Sequence, residues 1–464
     1  LNKTILAIDI GSINICAIIA EIKDGRVQVQ GHGITRSQGV KKGAITNIEL
    51  ASKSIKKALN DAKRIAGSNI SSAVVSISNA YAKSLNSTGV VNIPHKDISI
   101  KELERVMKTA LYNANIPNEF DIVHVLPYNF KVDDQDFIED PYGMNASRLE
   151  VDVNIIMTQK SNLSNLTKAV RSAGVEIEGI VLNGYASAIA TMDEDDKELG
   201  VAVIDLGGQT SNLVIHTGNS IRYNDFLGVG SNHITNDLSM ALHTPLQVAE
   251  NVKIRHGNLS ETSNEIIELP IIGDEDSRNG VSLDIVHSVI FARVEETLML
   301  LAKSLDKSAL REQIGAGIIL TGGMTKLKGM RELAQSVFPT MPVRIGYPNE
   351  EKIDGLFEEL KSPEFSSAVG LVLYSAGGHT EYEINFNQQL LHSKTVRKED
   401  LGDIRIAQSS ENREREEHSA LQIKPETDRK TQKEENIIFD DLPDIGKGNH
   451  HPIKKFVNWA KQLF

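Results

Sequence analysis

Asp9 and Asp205 each close a run of apolar residues and stand directly before a glycine turn. The first turn reads Asp9-Ile10-Gly11-Ser12-Ile13-Asn14, the second Asp205-Leu206-Gly207-Gly208-Gln209-Thr210-Ser211. In turns of this kind backbone N–H groups and the Ser12 hydroxyl can converge on phosphate oxygens, and glycine admits the close approach. A carboxylate at the end of an apolar strand is costly unless something compensates its charge. Magnesium held largely through water would compensate both aspartates and neutralise a polyphosphate. Either aspartate alone also suits a turn cap; the pair favours a phosphate clamp. A third turn, Thr321-Gly322-Gly323-Met324, follows a short apolar run and can lie flat against a purine where a side chain would obstruct it. Gly228 and Gly230 precede Ile234 to Asp237, and Glu250 with Lys253 has i,i+3 helical spacing. Glu250 could accept from ribose hydroxyls while Lys253 lies along the base edge. The same spacing suits a surface ion pair worth roughly 0.2–0.5 kcal/mol.

The elements that must carry these turns follow from periodicity. Thr4 to Ile10 and Ile15 to Ile22 predict two core strands, with Asp24-Gly25 as a hairpin turn before Val27 to Gly31. Ile48 to Ala66 predicts a helix with Leu50, Ile55, Ala58, Leu59 and Ala62 facing the core. Ala73 to Ser78 is a further strand. From about 84 to 160 the chain holds its own set of elements: strands at Gly89 to Ile93, Ile122 to Leu126, Phe130 to Val132 and Leu149 to Ile156, and a helix at Ser99 to Asn113. That set suffices for a small α+β module inserted in a larger unit. The larger unit resumes with a helix from Leu163 to Ala173 and the apolar run Ile177 to Leu182.

After an acidic spacer, Asp193 to Glu198, the strands Val201 to Leu206 and Leu213 to His216 repeat the opening layout of strand, glycine turn and strand. Helices are expected at Ile234 to Leu242, Thr244 to His256, Val281 to Ser304 and Ser366 to Ser375. Two such halves facing each other would clasp the phosphates of one ligand.

A chain of 464 residues is long enough for several domains with proper cores, and its net charge of -12 argues against a general nucleic-acid binder. The single cysteine, Cys16, excludes an internal disulfide and a cysteine-based zinc site. The opening residues lack a signal peptide's cationic stretch and cleavage site, so a cytosolic chain is expected. From about 381 the composition turns to charge and amide residues without core periodicity, which predicts a disordered tether to 449. The short patch Ile437 to Leu442 suits a transient binding motif or stray apolar residues in a linker.

The last residues, 450–464, differ from that tether. Ile453, Phe456, Val457, Ala460, Leu463 and Phe464 share one helical face with Trp459 at its edge; Lys454, Lys455, Asn458 and Lys461 take the other. The segment is too short and charged to span a bilayer but suits a helix in the headgroup plane, where anionic lipid attracts its lysines. A helix docking on a partner protein would show the same periodicity.

Taken in order, these pieces resemble the actin, sugar-kinase and heat-shock chaperone ATPase superfamily and, within it, the bacterial cell-division FtsA family. The resemblance covers residues 3–380 and extends to the terminal helix. Thr4 to Glu21 looks like the first phosphate loop, and Gly39 to Ile45 like the stretch before the first long helix. Asp205 to Ser211 looks like the second phosphate loop, Gly228 to Asp237 with Glu250 and Lys253 like the ribose and adenine segment, and Gly315 to Met324 like the adenosine motif.

The resemblance implies an actin-like α/β fold with two major lobes. The first lobe would comprise 1–83 and 161–196, interrupted by an inserted α+β subdomain at 84–160. The second would comprise 197–226 and 306–380 with a subdomain at 227–305. A tether at 381–449 and an amphipathic membrane-targeting helix at 450–464 would follow. The resemblance also implies ATP and Mg2+ as ligands, with Asp9 and Asp205 holding the metal. It implies head-to-tail filaments through the inserted module and anchoring of the FtsZ ring at the cytoplasmic face of the inner membrane. Expected partners are the FtsZ C-terminal peptide on the 227–305 region, with Arg293 as its cation, anionic phospholipid and downstream division membrane proteins.

Two departures bear on chemistry. Asn212 stands where relatives carry an aspartate, and Asn183-Gly184 where they often have Glu-Pro. Asn183 can orient water but is no general base at neutral pH, so slow or regulatory hydrolysis is expected. A pilus-assembly scaffold of the same fold, binding a short peptide of an inner-membrane partner, is the alternative reading.

Overall fold

A computed structural model describes residues 3–23 and 26–392. The Asp24-Gly25 turn, the tether beyond 392 with its patch Ile437 to Leu442, and the terminal helix lie outside the described residues.

Two sheets share one layout. In the first, strand Lys3–Ile10 pairs antiparallel with Asn14–Lys23 and parallel with Ser72–Ile77, within a six-stranded sheet that also holds Arg26–Arg36, Glu176–Leu182 and Ile353–Gly355. In the second, Val201–Leu206 pairs antiparallel with Ser211–Thr217 and parallel with Gly317–Thr321, flanked by Ser220–Leu227 and Val343–Ile345. The central strands are apolar throughout because helices cover both faces of a mixed sheet, leaving no solvent side for polar residues. The register places Asp9 opposite Cys16 and Asp205 opposite Asn212, so each aspartate sits at the mouth of its strand pair.

The inserted module is a four-stranded antiparallel sheet in the order Ala82–Asn92, Arg148–Gln159, Phe120–Val132, Gln135–Ile138. Helix Ile100–Asn113 packs its buried Leu103, Val106, Met107 and Ala110 on that sheet, giving the module its own core. Its start is fixed by a capping box in which Ser99 and Glu102 satisfy each other's backbone groups. The module also touches the second lobe: Asn154 Nδ2 donates to the Ile221 carbonyl at 2.9 Å, and Ser84 bonds Asn224.

Two short helices cross between the lobes. Asn183–Thr191 and Ser366–Leu373 are both almost wholly buried, and they meet at Gly370. A Cβ there would lie 1.8 Å from the Ala186 carbonyl oxygen. Gly370→Ala is therefore expected to destabilise the protein by about 3 kcal/mol, the upper end for overpacking, read as a lowered urea midpoint. An unchanged midpoint would show that the crossing yields easily.

Several sequence expectations need correction. Leu50 is 39% exposed and sits at the first turn of its helix, off the buried stripe of Ile55, Ala58, Leu59 and Ala62. Ile122 to Leu126 and Phe130 to Val132 are one strand, Phe120–Val132, that runs through Pro127 where the pairing with Arg148–Gln159 shifts register. The acidic spacer is itself helical over Glu194–Leu199, capped by Asp193 and Asp196. Val281 belongs to a strand, Asp274–Ser282, and the long helix begins at Leu283 behind the Ser282 cap. The tether does not begin at 381: Tyr382, Glu383 and Ile384 are buried, and Ile384 forms a bridge with Val125 of the inserted module.

Candidate functional site

Between the two sheets lies a cleft of about 540 Å³ lined by all three glycine turns. Asp9, Gly11, Ser12, Ile13 and Asn14 form one wall; Asp205, Gly207, Gly208 and Thr210 form the other; Gly322, Gly323 and Met324 close one end with Glu250 and Lys253. Asn183 also reaches the cleft, its Oδ1 accepting from the Asn79 backbone N–H at 3.2 Å.

The loops touch across the cleft. A Cβ on Gly208 would meet Ile13 Cγ1 at 2.0 Å, so glycine alone permits this approach. Among the described residues the backbone N–H groups of Ser12, Ile13, Gly208 and Gln209 donate to no backbone or side-chain acceptor. Ser12, Ile13 and Gly208 line the cleft, with Gln209 next in the turn, and unsatisfied amides at a cleft are a cradle for anionic oxygens. Ser12 Oγ accepts from the Gly43 N–H at 3.2 Å, leaving its own proton free to donate.

The two carboxylates are held by serines from the crossing helices. Ser187 Oγ donates to Asp205 Oδ2 at 2.7 Å and Ser367 Oγ to Asp9 Oδ1 at 3.2 Å. Burial raises the Asp205 carboxyl to about 6, opposed by the Ser187 bond and reinforced by the Asp9 charge. Burial likewise raises Asp9, against the bonds from Ser76 and Ser367. Two buried carboxyls, both raised by burial and one of them also by its neighbour's charge, make an environment that wants a cation. Asn212 Oδ1 lines the same wall, is buried, and has no partner. Among the described residues no group of three or more His, Cys, Asp or Glu side chains could hold a metal. Two carboxylates with ligand phosphates and water completing the shell fit magnesium, which keeps most of its waters.

Lys253 is 8% exposed, and its Nζ bonds Glu250 Oε2 at 2.8 Å, Thr235 Oγ1 at 3.0 Å and the Ser231 carbonyl at 3.3 Å. The pair is thus a built feature of the wall. Other expected residues lie behind it. Gln209 turns away and accepts from the Lys42 N–H at 2.7 Å; Ser211 is fully buried and donates to the Val229 carbonyl at 2.8 Å. Gly230 packs against Gly207 and Gly208, Gly228 faces open space, and Asp237 is held by Arg293 at 2.5 and 3.1 Å. Arg293 also pairs with Glu296 at 2.6 Å.

The residues that hold the aspartates, Ser187 and Ser367, escaped the sequence reading. Ser187 follows Asn183 by four positions, which places both on one helical face and was the available signal.

Gly322 has φ +89°, and a Cβ there would lie 2.4 Å from Asp205 Oδ1, whereas one on Gly323 would meet only Glu364 Cβ at 3.5 Å. Gly322→Ala is therefore expected to destabilise the fold by about 2 kcal/mol or more, and Gly323→Ala to leave thermal stability within about 0.5 kcal/mol. Equal melting shifts for the two would contradict this geometry.

Sequence profiles described as "Cell division protein FtsA" and "SHS2 domain inserted in FTSA" match residues 202–370 and 79–157. The chain is 43% identical over 413 residues to a cell division protein FtsA of Helicobacter pylori strain J99, covering 82% of this chain and 84% of that one. It is 37% identical to the Pseudomonas aeruginosa protein of that name over 80% of this chain and 89% of the relative, and 30% identical to the Escherichia coli K12 protein over 84% and 95%. Among solved structures, a PilM-PilN type IV pilus biogenesis complex chain aligns with TM-score 0.58 at 17% identity, covering 80% of this chain and 98% of that one. MreB5 of Spiroplasma citri bound to ADP aligns with TM-score 0.50 at 13% identity, over 80% and 95%. At those identities the structural likeness shows the fold alone.

Proposed function

Because this chain belongs to the FtsA family of cell-division proteins, we propose that it is an ATP-binding, actin-like adaptor that polymerises at the cytoplasmic face of the inner membrane and anchors the FtsZ ring. The observation that carries the nucleotide part is Asp9 and Asp205 facing one cleft beside the Ser12, Ile13 and Gly208 amides, which among the described residues donate to no acceptor. The polyphosphate lies along the amides of Ser12, Ile13, Gly208 and Gln209; the purine lies against Gly322, Gly323 and Met324; the ribose faces Glu250. Asp9 and Asp205 would hold magnesium, which would supply charge neutralisation on the phosphates. Asn183, fixed by the Asn79 N–H, orients water without removing its proton, so hydrolysis is slow and nucleotide acts chiefly as a structural switch.

Membrane attachment rests on the terminal helix. Among the described residues no helix is long and apolar enough to cross a membrane. One short amphipathic helix binds lipid weakly, while several carried on one filament hold together by avidity. The 227–305 region receives the acidic FtsZ peptide, which would compete with Glu296 for Arg293. The inserted module supplies filament contacts, and downstream division membrane proteins complete the partner set. The pilus-assembly reading has fold likeness only in its favour, and relatives of 30–43% identity carry the division name instead.

Titration with a fluorescent ATP analogue tests this reading: saturable, magnesium-dependent binding displaced by ATP is expected. Failure to bind at millimolar nucleotide would overturn it.

A further inference from the structure

Opposite the cleft, the two crossing helices converge on a single carboxylate that the nucleotide chemistry does not use. Glu383 is fully buried. Its Oε2 accepts from the Tyr185 hydroxyl at 2.8 Å and the Thr380 N–H at 3.3 Å, and its Oε1 from the Tyr374 hydroxyl at 2.5 Å. Tyr185 belongs to helix Asn183–Thr191, whose Ser187 holds Asp205. Tyr374 directly follows helix Ser366–Leu373, whose Ser367 holds Asp9. Each crossing segment therefore presents one aspartate partner to the cleft and, within the helix or directly after it, one tyrosine to Glu383.

The inserted module enters the same cluster. His124, fully buried in strand Phe120–Val132, has Nδ1 3.4 Å from Glu383 Oε1, without the alignment of a hydrogen bond, and its Nε2 accepts from the Leu182 N–H at 3.2 Å. The neighbours of Glu383 dock on that module as well. Ile384 and Val125 exchange backbone hydrogen bonds of 3.0 and 2.9 Å, and the Tyr382 hydroxyl donates to Asp140 at 2.6 Å. The module's other side bonds the second-lobe strand Ser220–Leu227 through Asn154.

We propose that Glu383 is a positioning residue for the nucleotide cleft, tying the inserted module to both helices that hold Asp9 and Asp205. An ordinary structural carboxylate needs only its own satisfaction; this one is satisfied by groups from both crossing segments and faces a ring from the module. Neutralising it leaves at least one donor facing a donor in a dry site, which loosens the joint. Nucleotide closing the cleft then shifts the module, and by reciprocity the module's placement changes nucleotide affinity. The inference rests on the nucleotide reading above.

The test compares the full chain with Glu383→Gln for ATP affinity in magnesium and for amide hydrogen exchange in Phe120–Val132. Binding of ATP to the unmodified chain is expected to slow exchange in that strand, whose residues do not line the cleft. In Glu383→Gln affinity falls by about fivefold or more, the lower range of measured couplings between sites, and the exchange response disappears. A variant with a lower Tm but unchanged affinity and exchange response would show a merely structural role and overturn the proposal. Should Glu383→Gln fail to fold, Tyr374→Phe removes one donor and must reduce both readouts; no change in either overturns the proposal. An unmodified chain that binds ATP without any exchange response in the strand overturns this inference alone. One that binds no ATP overturns the nucleotide reading with it.

Discussion

Asp205→Asn is expected to make the ligand-free protein more stable at pH 7 while abolishing its stabilisation by ATP and magnesium. The Asp205 carboxyl titrates near 6 in the folded chain because burial and the Asp9 charge oppose ionisation. In the unfolded chain it titrates near 3.9. Between those values the native state binds the extra proton, so stability falls as pH rises from about 4 to about 6. Above that window the ionised group costs up to about 3 kcal/mol, from 1.36 kcal/mol per pKa unit. Asparagine removes this cost and its Oδ1 can still accept from Ser187. Ligand-free Asp205→Asn should therefore show a higher melting temperature at pH 7 and a flatter profile from pH 4 to 6.5. With saturating ATP and magnesium the order reverses: the unmodified chain gains stability by mass action, and the variant gains little. A variant less stable than the parent without ligand would mean that the charge is already compensated.

Phe456→Asp should release the protein from anionic vesicles without changing ATP affinity. Helical spacing predicts that Phe456 shares one apolar face with Ile453, Val457, Ala460, Leu463 and Phe464. Losing its burial removes about 2 kcal/mol, roughly thirtyfold in partitioning, and the new carboxylate is repelled by the lipid surface. On a filament carrying many helices the loss compounds, because avidity multiplies each weak contact. Vesicle binding equal to that of the parent would contradict the assigned face, and a change in ATP affinity would link the helix to the cleft.

The parts of the site that could be read from sequence are those built from contiguous residues. A strand ending in Asp9 or Asp205 and running into glycine declares its turn locally, because only that backbone lets a phosphate approach. The register Asp9 with Cys16 and Asp205 with Asn212 follows from the antiparallel pairing across each turn. What could not be read is what converges from afar. Ser367 and Asp9 are separated by 358 positions, and Tyr185 and Glu383 by 198. Tyr382 and Ile384 sit in a stretch with no core periodicity, yet they are buried because the inserted module, not their own neighbours, supplies the apolar surface. Leu50 failed in the opposite sense: it is apolar, but it stands off the stripe on which Ala51, Ile55, Ala58 and Ala62 are buried. Gln209 has the spacing of a phosphate-loop residue, and the backbone of Lys42 draws its side chain out of the cleft.

Co-sedimentation with anionic lipid vesicles, with and without ATP and magnesium, tests the central claim most directly when the full chain is compared with one ending at Lys447. The expected result is pelleting that nucleotide enhances and that requires residues 448–464. Vesicle binding absent under every condition, or retained by the shortened chain and indifferent to nucleotide, would contradict a nucleotide-controlled, polymerising membrane anchor.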